Sequence, residues 1–364
     1  MMENHEFFMA QAFREAERGI YTTRPNPRVG CVLVKDGQII SRGFHLQTGG
    51  GHAEANAIKD AVGDIRGATA YVTLEPCSFA GRTPSCAHAL IDHGISRVVY
   101  AGTDPHPGNR GVGLEKLRAA GIEVIGPIME AEGLNLNPGH FKKFTQGLPV
   151  VRLKLAQSLD GGTALANGKS QWITGSEARS DVQKWRARSC AVVTGVDTVL
   201  ADDPGLSVRE NELKAEFASI AAQIRRPIVV LDSKGRFPAD AALNQSPNLV
   251  LVTGQQVQTP HKQQVQLPLN KSGQIDLHHL LQYLVEKEDC SDVLFECGAT
   301  LAGSLLELEL VDELIVYIAP KLMGVNTRNL ANMGPLTEME QVKEFSIKDV
   351  RQIGADLRII LTKS

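Results

Sequence analysis

Apolar residues in the first part of the chain alternate between the spacing of helices and the spacing of strands. In residues 5–19 they recur on one face of a predicted helix. Residues 29–34 and 38–43 are two predicted strands joined at Asp36-Gly37, which is a strong hairpin signal. The alternation predicts an α/β layer fold. Further strands are predicted at 68–74, 97–102 and 122–125, and further helices at 53–62, 87–93 and 114–120.

A similar alternation continues through the second part of the chain. The Gly-Leu-Pro sequence at residues 147–149 interrupts the pattern and predicts a boundary between two domains, 1–147 and 148–364. A length of 364 residues also favours two domains. Residues 196–204 are predicted to be a tight polar loop. Strands are predicted at 150–156, 191–195, 225–232, 248–253, 293–296, 313–318 and 357–361, and helices at 176–188 and 277–286.

Composition narrows the class of protein. The chain is 43% hydrophobic and 22% charged, which is typical of globular proteins. Its net charge of −3 provides no basic field for nucleic acid. No run approaches the ~18 apolar residues of a membrane span, and the first residues do not resemble a signal peptide. We therefore expect a cytoplasmic protein whose six cysteines are thiols.

One short motif carries the chemistry of the first domain. His52-Ala53-Glu54, Pro76-Cys77 and Cys86 follow the order of ligands in zinc-dependent deaminases. One imidazole and two thiolates hold Zn²⁺ at three tetrahedral positions and leave the fourth for water, whose pKa falls from ~15.7 to roughly 7. Glu54 is not a ligand. We predict that it is the catalytic residue, which takes a proton from water and passes it to the ring nitrogen and the departing amine.

Each part of this motif is weak alone. His-x-Glu is common by chance, and a buried cysteine is usually a small core residue. The combined order, spacing and element placement favour a metal site. Eight residues, 78–85, separate the cysteines, where the usual deaminase pattern has two. A zinc ion that serves only folding normally has four protein ligands, and no fourth Cys or His fits this motif.

Three other segments of the sequence can each be interpreted in two ways. Residues 298–303 follow a predicted strand and open a helix, so they form either a phosphate cradle or an ordinary turn. Because the fingerprint G-x-G-x-x-G is missing, a standard dinucleotide fold is not supported. Glycines at 108, 111 and 113 are predicted to form a flexible rim over the metal pocket rather than a phosphate loop. Asn26, in a rigid Pro-Asn-Pro loop, is either a turn former or a partner for a pyrimidine edge.

Together these motifs resemble a known enzyme family, the bifunctional deaminase/reductases of riboflavin biosynthesis, and the similarity covers nearly the whole chain. The resemblance implies a cytidine-deaminase-like three-layer α/β/α domain followed by a dihydrofolate-reductase-like α/β domain. The insert between the cysteines is its most specific element. The matching segments of the first domain are Pro25-Asn26-Pro27-Arg28-Val29-Gly30, Gly51-His52-Ala53-Glu54, Glu75-Pro76-Cys77 and Gly81-Arg82-Thr83-Pro84 with Cys86.

The resemblance implies two consecutive reactions on a small-molecule substrate. The first domain would hydrolyse the 2-amino group of a diamino-hydroxy-pyrimidine that carries a phosphoribosylamino arm. The second would reduce the ribosyl arm to ribityl with NADPH. By the same resemblance Asn26 and His45 contact the pyrimidine substrate, and the chain forms a homo-oligomer, either a dimer or a tetramer. A lone nucleoside or tRNA deaminase is disfavoured by the cysteine spacing and the lack of basic surface.

The second domain matches the reductase of that family in four segments, and Lys154 would help to orient the sugar. The family usually has a basic residue after Asp160-Gly161, where this chain has Gly162. The matching segments are Leu155-x-x-Ser158-Leu159-Asp160-Gly161, Ser170-x-Trp172-Ile173-Thr174, Gly195-x-x-Thr198-Val199-x-x-Asp202-Asp203-Pro204 and Glu296-x-Gly298-x-Thr300-Leu301. The implied NADPH contacts are Ala156, Trp172, Thr198, Asp202, Ser233, Gly298, Ala299, Thr300 and Leu301. The implied ribose-phosphate pocket contains Ser170, Arg186, Leu206, Arg209 and Glu296.

Overall fold

The chain forms two units, Met1–Leu148 and Pro149–Ser364. The computed structural model describes residues 4–79, 85–255 and 263–363. Within those ranges, no helix has both the length and the apolar character needed to span a membrane.

A mixed sheet forms the middle of the first unit. Among the described residues it has five strands in the order β2-β1-β3-β4-β5, where β1 is antiparallel to both neighbours and β3, β4 and β5 are parallel. The strands are β1 (Gly30–Lys35), β2 (Gln38–Phe44), β3 (Thr69–Val72), β4 (Arg97–Tyr100) and β5 (Glu123–Ile125). The helices are α1 (His5–Arg18), α2 (Ala53–Lys59), α3 (Cys86–Asp92), α4 (Val112–Ala119), α5 (Glu130–Leu136) and α6 (Pro138–Gln146).

Helices cover both faces of this sheet, and they bury the central strands β1 and β3 on both sides. Cys31 and Leu33 pack with residues of α2, α3 and α4, whereas Val32 and Val34 pack with residues of α1. The alternation along β1 follows from the two-residue period of a strand. The first unit is therefore a three-layer α/β/α structure, as the family resemblance implies.

Gly43 brings the helix of the metal motif against the sheet. A Cβ at this position of β2 would lie 2.3 Å from Ala57 N and 2.4 Å from Ala53 O, both on α2. Only glycine allows this approach of helix to strand. The contact sets the position of α2, which begins directly after His52 and carries Glu54.

A larger mixed sheet forms the second unit. The described residues contribute nine strands in the order β10-β9-β8-β7-β11-β6-β12-β14-β13. Neighbouring strands from β10 to β12 are parallel, and β14 and β13 are added antiparallel, so the predicted α/β fold class is confirmed in both units. The strands are β6 (Val150–Ser158), β7 (Ala191–Gly195), β8 (Ile228–Leu231), β9 (Leu249–Thr253), β10 (Gln264–Gln266), β11 (Asp292–Glu296), β12 (Glu313–Ala319), β13 (Phe345–Ile353) and β14 (Asp356–Lys363). The helices are α7 (Ser176–Ala187), α8 (Val196–Asp202), α9 (Ala218–Gln223), α10 (Leu277–Glu286) and α11 (Ala299–Glu307).

The predicted polar loop at residues 196–204 is wrong over most of its length, because α8 occupies it. The aspartates in this segment have low helix propensity, which led to the loop prediction. Burial of Val196 and Val199 against the hydrophobic core outweighs that preference. The helix ends at Asp203, whose φ is +40°, just before Pro204.

A buried ion triad joins three parallel strands of the second unit. Arg152 on β6 is completely buried, and its guanidinium contacts Asp292 on β11 at 2.6 Å and Glu313 on β12 at 2.5 Å. Burial tends to raise the pKa of Glu313, but Arg152 and Lys348 outweigh it, and the pKa falls to about 2. Asp292 therefore depends on Arg152 for compensation of its charge, whereas Glu313 is paired with both Arg152 and Lys348.

We expect Arg152→Leu to destabilise the second unit by about 3–5 kcal/mol, because it leaves the buried Asp292 carboxylate without its cation and Glu313 with Lys348 alone. Urea unfolding followed by tryptophan fluorescence measures this, since Trp172 and Trp185 both lie in the second unit. The control is Arg351→Ala, which removes an exposed arginine paired with Asp349 at 3.0 Å and should change stability by less than about 1 kcal/mol. Equal effects of the two substitutions would contradict a structural role for the triad.

Candidate active sites

The three predicted metal ligands of the first unit lie together. His52 Nδ1 is 3.2 Å from Cys86 Sγ and 3.5 Å from Cys77 Sγ, and the three ligand atoms all lie within 4.8 Å of one another. In a tetrahedral zinc site with Zn–N and Zn–S bonds of about 2.0 and 2.3 Å, nitrogen and sulfur are about 3.5 Å apart. Within the described residues this group contains three protein ligands, so it fits a zinc ion that keeps one position open.

Each ligand stands at the end of a secondary-structure element. His52 is the N-cap of α2 and Cys86 is the first residue of α3, where Ser85 Oγ accepts a hydrogen bond from the His88 backbone at 3.2 Å. Cys77 lies beyond β3, and its sulfur accepts the backbone N–H of Cys86 at 3.2 Å. Packing of the three elements therefore positions the ligands.

The two thiols share one proton. The hydrogen bond from Cys86 lowers the pKa of Cys77 to about 4, and the same bond, together with burial, raises the pKa of Cys86. Bonding to Cys77 raises the pKa of His52. Since cysteine binds metal as thiolate, a divalent cation between the sulfurs would displace the shared proton.

Glu54 is the buried carboxyl group beside this cluster. It is 2% exposed and is the second residue of α2. Burial, reinforced by the negative charge of Cys77, raises its pKa to about 7. A carboxyl group with such a pKa can both accept and donate a proton near neutrality, which suits proton transfer in catalysis.

Asn26 and His45 contact each other next to the metal cluster. Asn26 Nδ2 is 3.1 Å from His45 Nε2, and His45 Nδ1 is 3.0 Å from the Gly51 carbonyl oxygen. Since a carbonyl only accepts, Nδ1 carries the proton and Nε2 accepts from Asn26. Burial lowers the pKa of His45, which favours this neutral form. The rings of His45 and His52 are 5.4 Å apart, so both predicted substrate contacts lie beside the predicted metal ligand.

The segment before α4 is hydrogen-bonded to the metal loop, whereas we expected a flexible rim. The Glu75 carboxylate accepts backbone N–H groups from Asp104 at 3.2 Å, Gly111 at 2.9 Å and Gly113 at 3.1 Å. A Cβ on Gly113 would lie 2.0 Å from Pro76 O, so glycine is required there. Glu75, which directly precedes Pro76-Cys77, therefore ties the motif that supplies Cys77 to the backbone of residues 104–113.

Glu75 is a functional residue that the sequence analysis missed. Its position directly before Pro76-Cys77 was visible, but its three backbone partners come from a distant segment and have no sequence signal. Asn109 was missed for the same reason: its Oδ1 accepts the backbone N–H of Ser78 at 2.7 Å. The Gly81-Arg82-Thr83-Pro84 segment lies outside the described residues.

A cleft of about 1650 Å³ lies in the second unit, at the carboxyl ends of β6, β7 and β11. Parallel sheets commonly bind ligands at this end of their strands. Ser233 is not among the lining residues, although it lies in the described part of the chain. The lining contains all other predicted reductase residues: Lys154, Ala156, Ser170, Trp172, Arg186, Thr198, Asp202, Leu206, Arg209, Glu296, Gly298, Ala299, Thr300 and Leu301.

Some predicted ligand contacts are paired with each other. Arg186 binds the Glu296 carboxylate through Nε at 2.5 Å and Nη2 at 3.0 Å, and its Nη1 donates to Ser207 O at 3.3 Å. The guanidinium fork that we expected to face a phosphate thus faces a carboxylate. Arg209 is half exposed and pairs with Glu212 at 2.8 Å, so it is more accessible to a ligand.

Lys154 extends from β6 into the same cleft. Its ammonium lies 5.8 Å from the centre of the Tyr317 ring. Loss of solvation lowers the pKa of Lys154, while the negative charge of Glu296 opposes that shift. Lys154 is the register partner of Glu296 on the neighbouring strand, so the two side chains line the cleft close to each other.

The segment at Gly298 has the features of an anion cradle. Gly298 is the N-cap of α11, where no side chain caps the first backbone N–H groups. A Cβ on Gly298 would lie 3.8 Å from Thr198 Oγ1, so α8 and α11 begin close together. Helix N-termini of this kind bind phosphate groups through backbone N–H, which fits the pyrophosphate of a dinucleotide.

Gly162 and Trp172 have partners that the sequence did not indicate. A Cβ on Gly162 would lie 2.9 Å from the Thr327 Cβ, so Thr327 occupies the space that a side chain at 162 would need. Thr327 and Arg179 both line the cleft. The Arg179 guanidinium stacks 4.4 Å from the centre of the exposed Trp172 ring, which no spacing rule would have revealed.

Comparison with known proteins agrees with the two-unit organisation. The family model of the cytidine and deoxycytidylate deaminase zinc-binding region matches residues 2–102. The model of the RibD C-terminal domain matches residues 149–359.

Full-length relatives and solved structures also match. The chain is 44% identical over 358 residues to the riboflavin biosynthesis protein RibD of Escherichia coli (strain K12), covering 97% of each chain. It is 43% identical over 371 residues to RibD of Haemophilus influenzae, covering 98% of this chain and 96% of the relative. The structure of Acinetobacter baumannii RibD matches with 42% identity and a TM-score of 0.88, covering 99% of both chains. The structure of a diaminohydroxyphosphoribosylaminopyrimidine deaminase/5-amino-6-(5-phosphoribosylamino)uracil reductase from Thermotoga maritima matches with 33% identity and a TM-score of 0.85, covering 99% of both chains.

We expect Glu75→Gln to weaken zinc binding about tenfold, because an amide nitrogen cannot accept the backbone N–H groups that hold the Cys77 loop. Competition with a chromogenic zinc chelator measures the affinity. The control is Glu123→Gln on β5 of the same unit, which removes the charge of an exposed carboxylate paired with Arg97 at 2.6 Å. Unchanged zinc affinity in the Glu75 variant would show that its hydrogen bonds do not support the metal site.

Proposed function

Since the chain belongs to the RibD family of bifunctional riboflavin-biosynthesis enzymes, we propose that it catalyses two consecutive steps of that pathway. The first is hydrolytic deamination of 2,5-diamino-6-(5-phosphoribosylamino)pyrimidin-4(3H)-one. The second is NADPH-dependent reduction of the ribosyl arm of 5-amino-6-(5-phosphoribosylamino)uracil. The observation that carries the first step is the contact of His52, Cys77 and Cys86 beside the buried carboxyl group of Glu54.

Glu54 moves the protons of the deamination. When held by His52, Cys77 and Cys86, a zinc ion supplies the Lewis acidity that brings the pKa of water from ~15.7 to roughly 7. Glu54 takes the proton that water loses and delivers it to the pyrimidine ring nitrogen. It then assists the departure of the 2-amino group as ammonia. A pKa of about 7 lets the one carboxyl group act in both directions.

Asn26 and His45 orient the pyrimidine in this proposal. Because the amide N–H of Asn26 is directed to His45 Nε2, its carboxamide oxygen is the atom that faces a donor of the substrate. The bond from His45 to Gly51 O fixes the imidazole, and therefore the amide, in one orientation. A fixed amide distinguishes N–H groups from acceptor nitrogens on the pyrimidine edge.

The cleft of the second unit has room for both the cofactor and the ribosyl-phosphate arm. Its volume of about 1650 Å³ exceeds the ~300–1,000 Å³ of a typical small-molecule site. Bound NADPH supplies the hydride, and the protein sets the distance and angle of transfer. In this proposal Gly298, Ala299, Thr300 and Leu301 hold the pyrophosphate through backbone N–H groups. The remaining cofactor contacts in this proposal are Ala156, Trp172, Thr198 and Asp202, which line the cleft, whereas Ser233 does not.

Charged side chains position the arm of the substrate. Arg209 binds its phosphate, since its guanidinium is half exposed at the cleft wall. Ser170 donates to Asp202 Oδ1 at 2.8 Å, so these two residues act as one polar group between the substrate and the cofactor. Glu296, held by Arg186, orients the sugar hydroxyls together with Lys154, and Leu206 contributes the apolar wall.

The two activities are separated by the variant Glu54→Gln. We expect deamination of the diamino substrate to fall about 10²–10⁴-fold, because the amide cannot relay protons, while bound zinc remains. The same protein should still oxidise NADPH when supplied with the deaminated uracil intermediate. Ammonia release and NADPH absorbance are followed separately, and zinc is measured by elemental analysis.

Two results would count against this assignment. Unchanged ammonia release in the Glu54 variant would remove Glu54 from the mechanism. Oxidation of NADPH by wild-type protein with the diamino substrate, before ammonia appears, would contradict the order of the two steps.

We also propose that the chain is a homo-oligomer of the reducing cytoplasm. All six cysteines lie in described segments and none forms a disulfide, which suits that compartment. The edge strand β13 exposes Ile347 at 66% and Val350 at 51%, and the neighbouring β14 exposes Leu357 at 42%. These exposed apolar side chains lie among polar residues of β13, and an edge strand offers unpaired backbone groups to a second copy.

We expect Ile347→Lys to weaken association, because it replaces an exposed apolar side chain of the edge strand with a charge. Sedimentation velocity over a range of protein concentrations measures the effect. The control is Val62→Lys, which adds the same charge at a residue that is 90% exposed in the first unit. A wild-type protein that stays monomeric at all concentrations would contradict the proposed oligomer.

A further inference from the structure

The segment that carries Arg209 is irregular for most of its length. Residues 203–209 form neither helix nor strand, and a single 3₁₀ turn, Glu210–Glu212, follows them. Arg209 is half exposed at the cleft, where it is the proposed ligand of the substrate phosphate. Because the segment has little regular structure of its own, contacts with a neighbouring element decide where this side chain points.

Gln183 on α7 supports the segment from behind the cleft. Its side chain is completely buried and is not among those that line the cleft. Its Oε1 accepts the backbone N–H of Arg209 at 3.0 Å, and its Nε2 donates to Glu212 Oε2 at 3.2 Å. Since a backbone N–H only donates and a carboxylate only accepts, these partners fix the orientation of the carboxamide. One buried amide therefore bridges both ends of the 3₁₀ turn.

Two routes lead from Gln183 to the guanidinium of Arg209. The first is the backbone hydrogen bond, which fixes the point from which the arginine side chain extends. The second passes through Glu212, whose Oε2 lies 2.8 Å from Arg209 Nη2 and also accepts from Gln183. An exposed ion pair by itself contributes little, but here the carboxylate is held by a buried amide. Gln183 therefore restrains both the backbone and the charged end of Arg209.

Two further side chains of α7 attach the same segment. Ser180, which precedes Gln183 by three residues, donates to Glu212 O at 2.7 Å. Arg186, which follows it by three, donates to Ser207 O at 3.3 Å. Residues spaced by three are neighbours on the surface of a helix. Gln183 is the middle member of this row and bonds to Arg209 itself, so its loss should affect that arginine most.

We propose that Gln183 is a positioning residue of the reductase reaction, which orients Arg209 to receive the phosphate of the substrate. The inference rests on the proposed reductase function, in which Arg209 binds that phosphate. A guanidinium already held in place loses less rotamer freedom when the phosphate binds. Gln183 therefore contributes to the affinity for the substrate and not to the rate of hydride transfer.

Steady-state reduction of 5-amino-6-(5-phosphoribosylamino)uracil by the full-length zinc-loaded protein tests the proposal. Gln183→Met keeps a side chain of similar length but removes both hydrogen bonds, and we expect it to raise KM for this substrate about tenfold. Loss of binding that is equal in the ground and transition states leaves kcat unchanged, and KM for NADPH should not change. The control is Gln223→Met, which replaces an exposed glutamine bonded to Ser219 Oγ at 3.3 Å and should leave all three constants unchanged.

A double-mutant cycle with Arg209→Ala separates positioning from a general loosening of the fold. Arg209→Ala should itself raise KM for the phosphorylated substrate. If Gln183 acts through Arg209, Gln183→Met adds no further increase once Arg209 is absent. A residue that only stabilises the fold would raise KM by the same factor whether or not Arg209 is present.

Ser180→Ala takes the place of Gln183→Met in the cycle if the latter does not fold. It removes the other hydrogen bond from α7 to the 3₁₀ turn, and we expect a smaller rise in KM that is also lost without Arg209. An unchanged KM, or effects that add in the cycle, would refute the positioning role. A wild-type KM in Arg209→Ala would instead refute the phosphate contact of Arg209, and a wild-type protein that does not oxidise NADPH would refute the proposed reductase function.

Discussion

The metal site of the first unit depends on one constraint, which is that three ligand atoms from distant parts of the chain must lie next to one another. His52 is separated from Cys77 by 25 positions and from Cys86 by 34, yet its Nδ1 contacts both sulfurs. Helix α2 reaches that point because Gly43 lets it lie directly on β2. The Cys77 loop reaches it because Glu75 accepts three backbone N–H groups. The metal chemistry therefore rests on backbone packing and on one buried carboxylate outside the ligand set.

In the second unit, several charged side chains are paired with each other in the structure without a ligand. Arg186 is bound to Glu296 at the cleft, and Arg152 holds Asp292 and Glu313 at the amino ends of β11 and β12. Such pairs fix side chains that would otherwise have many rotamers, so a ligand meets groups already in position. A paired charge is also less able to bind an incoming phosphate, which leaves recognition of anions to backbone N–H groups and to exposed arginines.

Two differences have physical explanations in the structure: one is a departure from the family pattern, and the other is a wrong prediction from the sequence. The family usually has a basic residue at the position of Gly162, and the Thr327 side chain fills the space such a residue would enter. The loop prediction for residues 196–204 rested on their polar composition, but the burial of Val196 and Val199 makes them helical. In both places a neighbour from elsewhere in the chain decides the outcome.

The sequence by itself determined the α/β class of both units and the residues that can bind a metal, because hydrophobic period and ligand spacing are local signals. The motif in the sequence was enough to identify His52, Glu54, Cys77 and Cys86. Only the tertiary structure decided that Glu75 supports the metal loop, that Arg186 faces Glu296, and that Gln183 bonds to the backbone of Arg209. These contacts join residues that are far apart in the chain. The packing of strands and helices determines which residues meet, and the spacing of residues along the sequence does not indicate it.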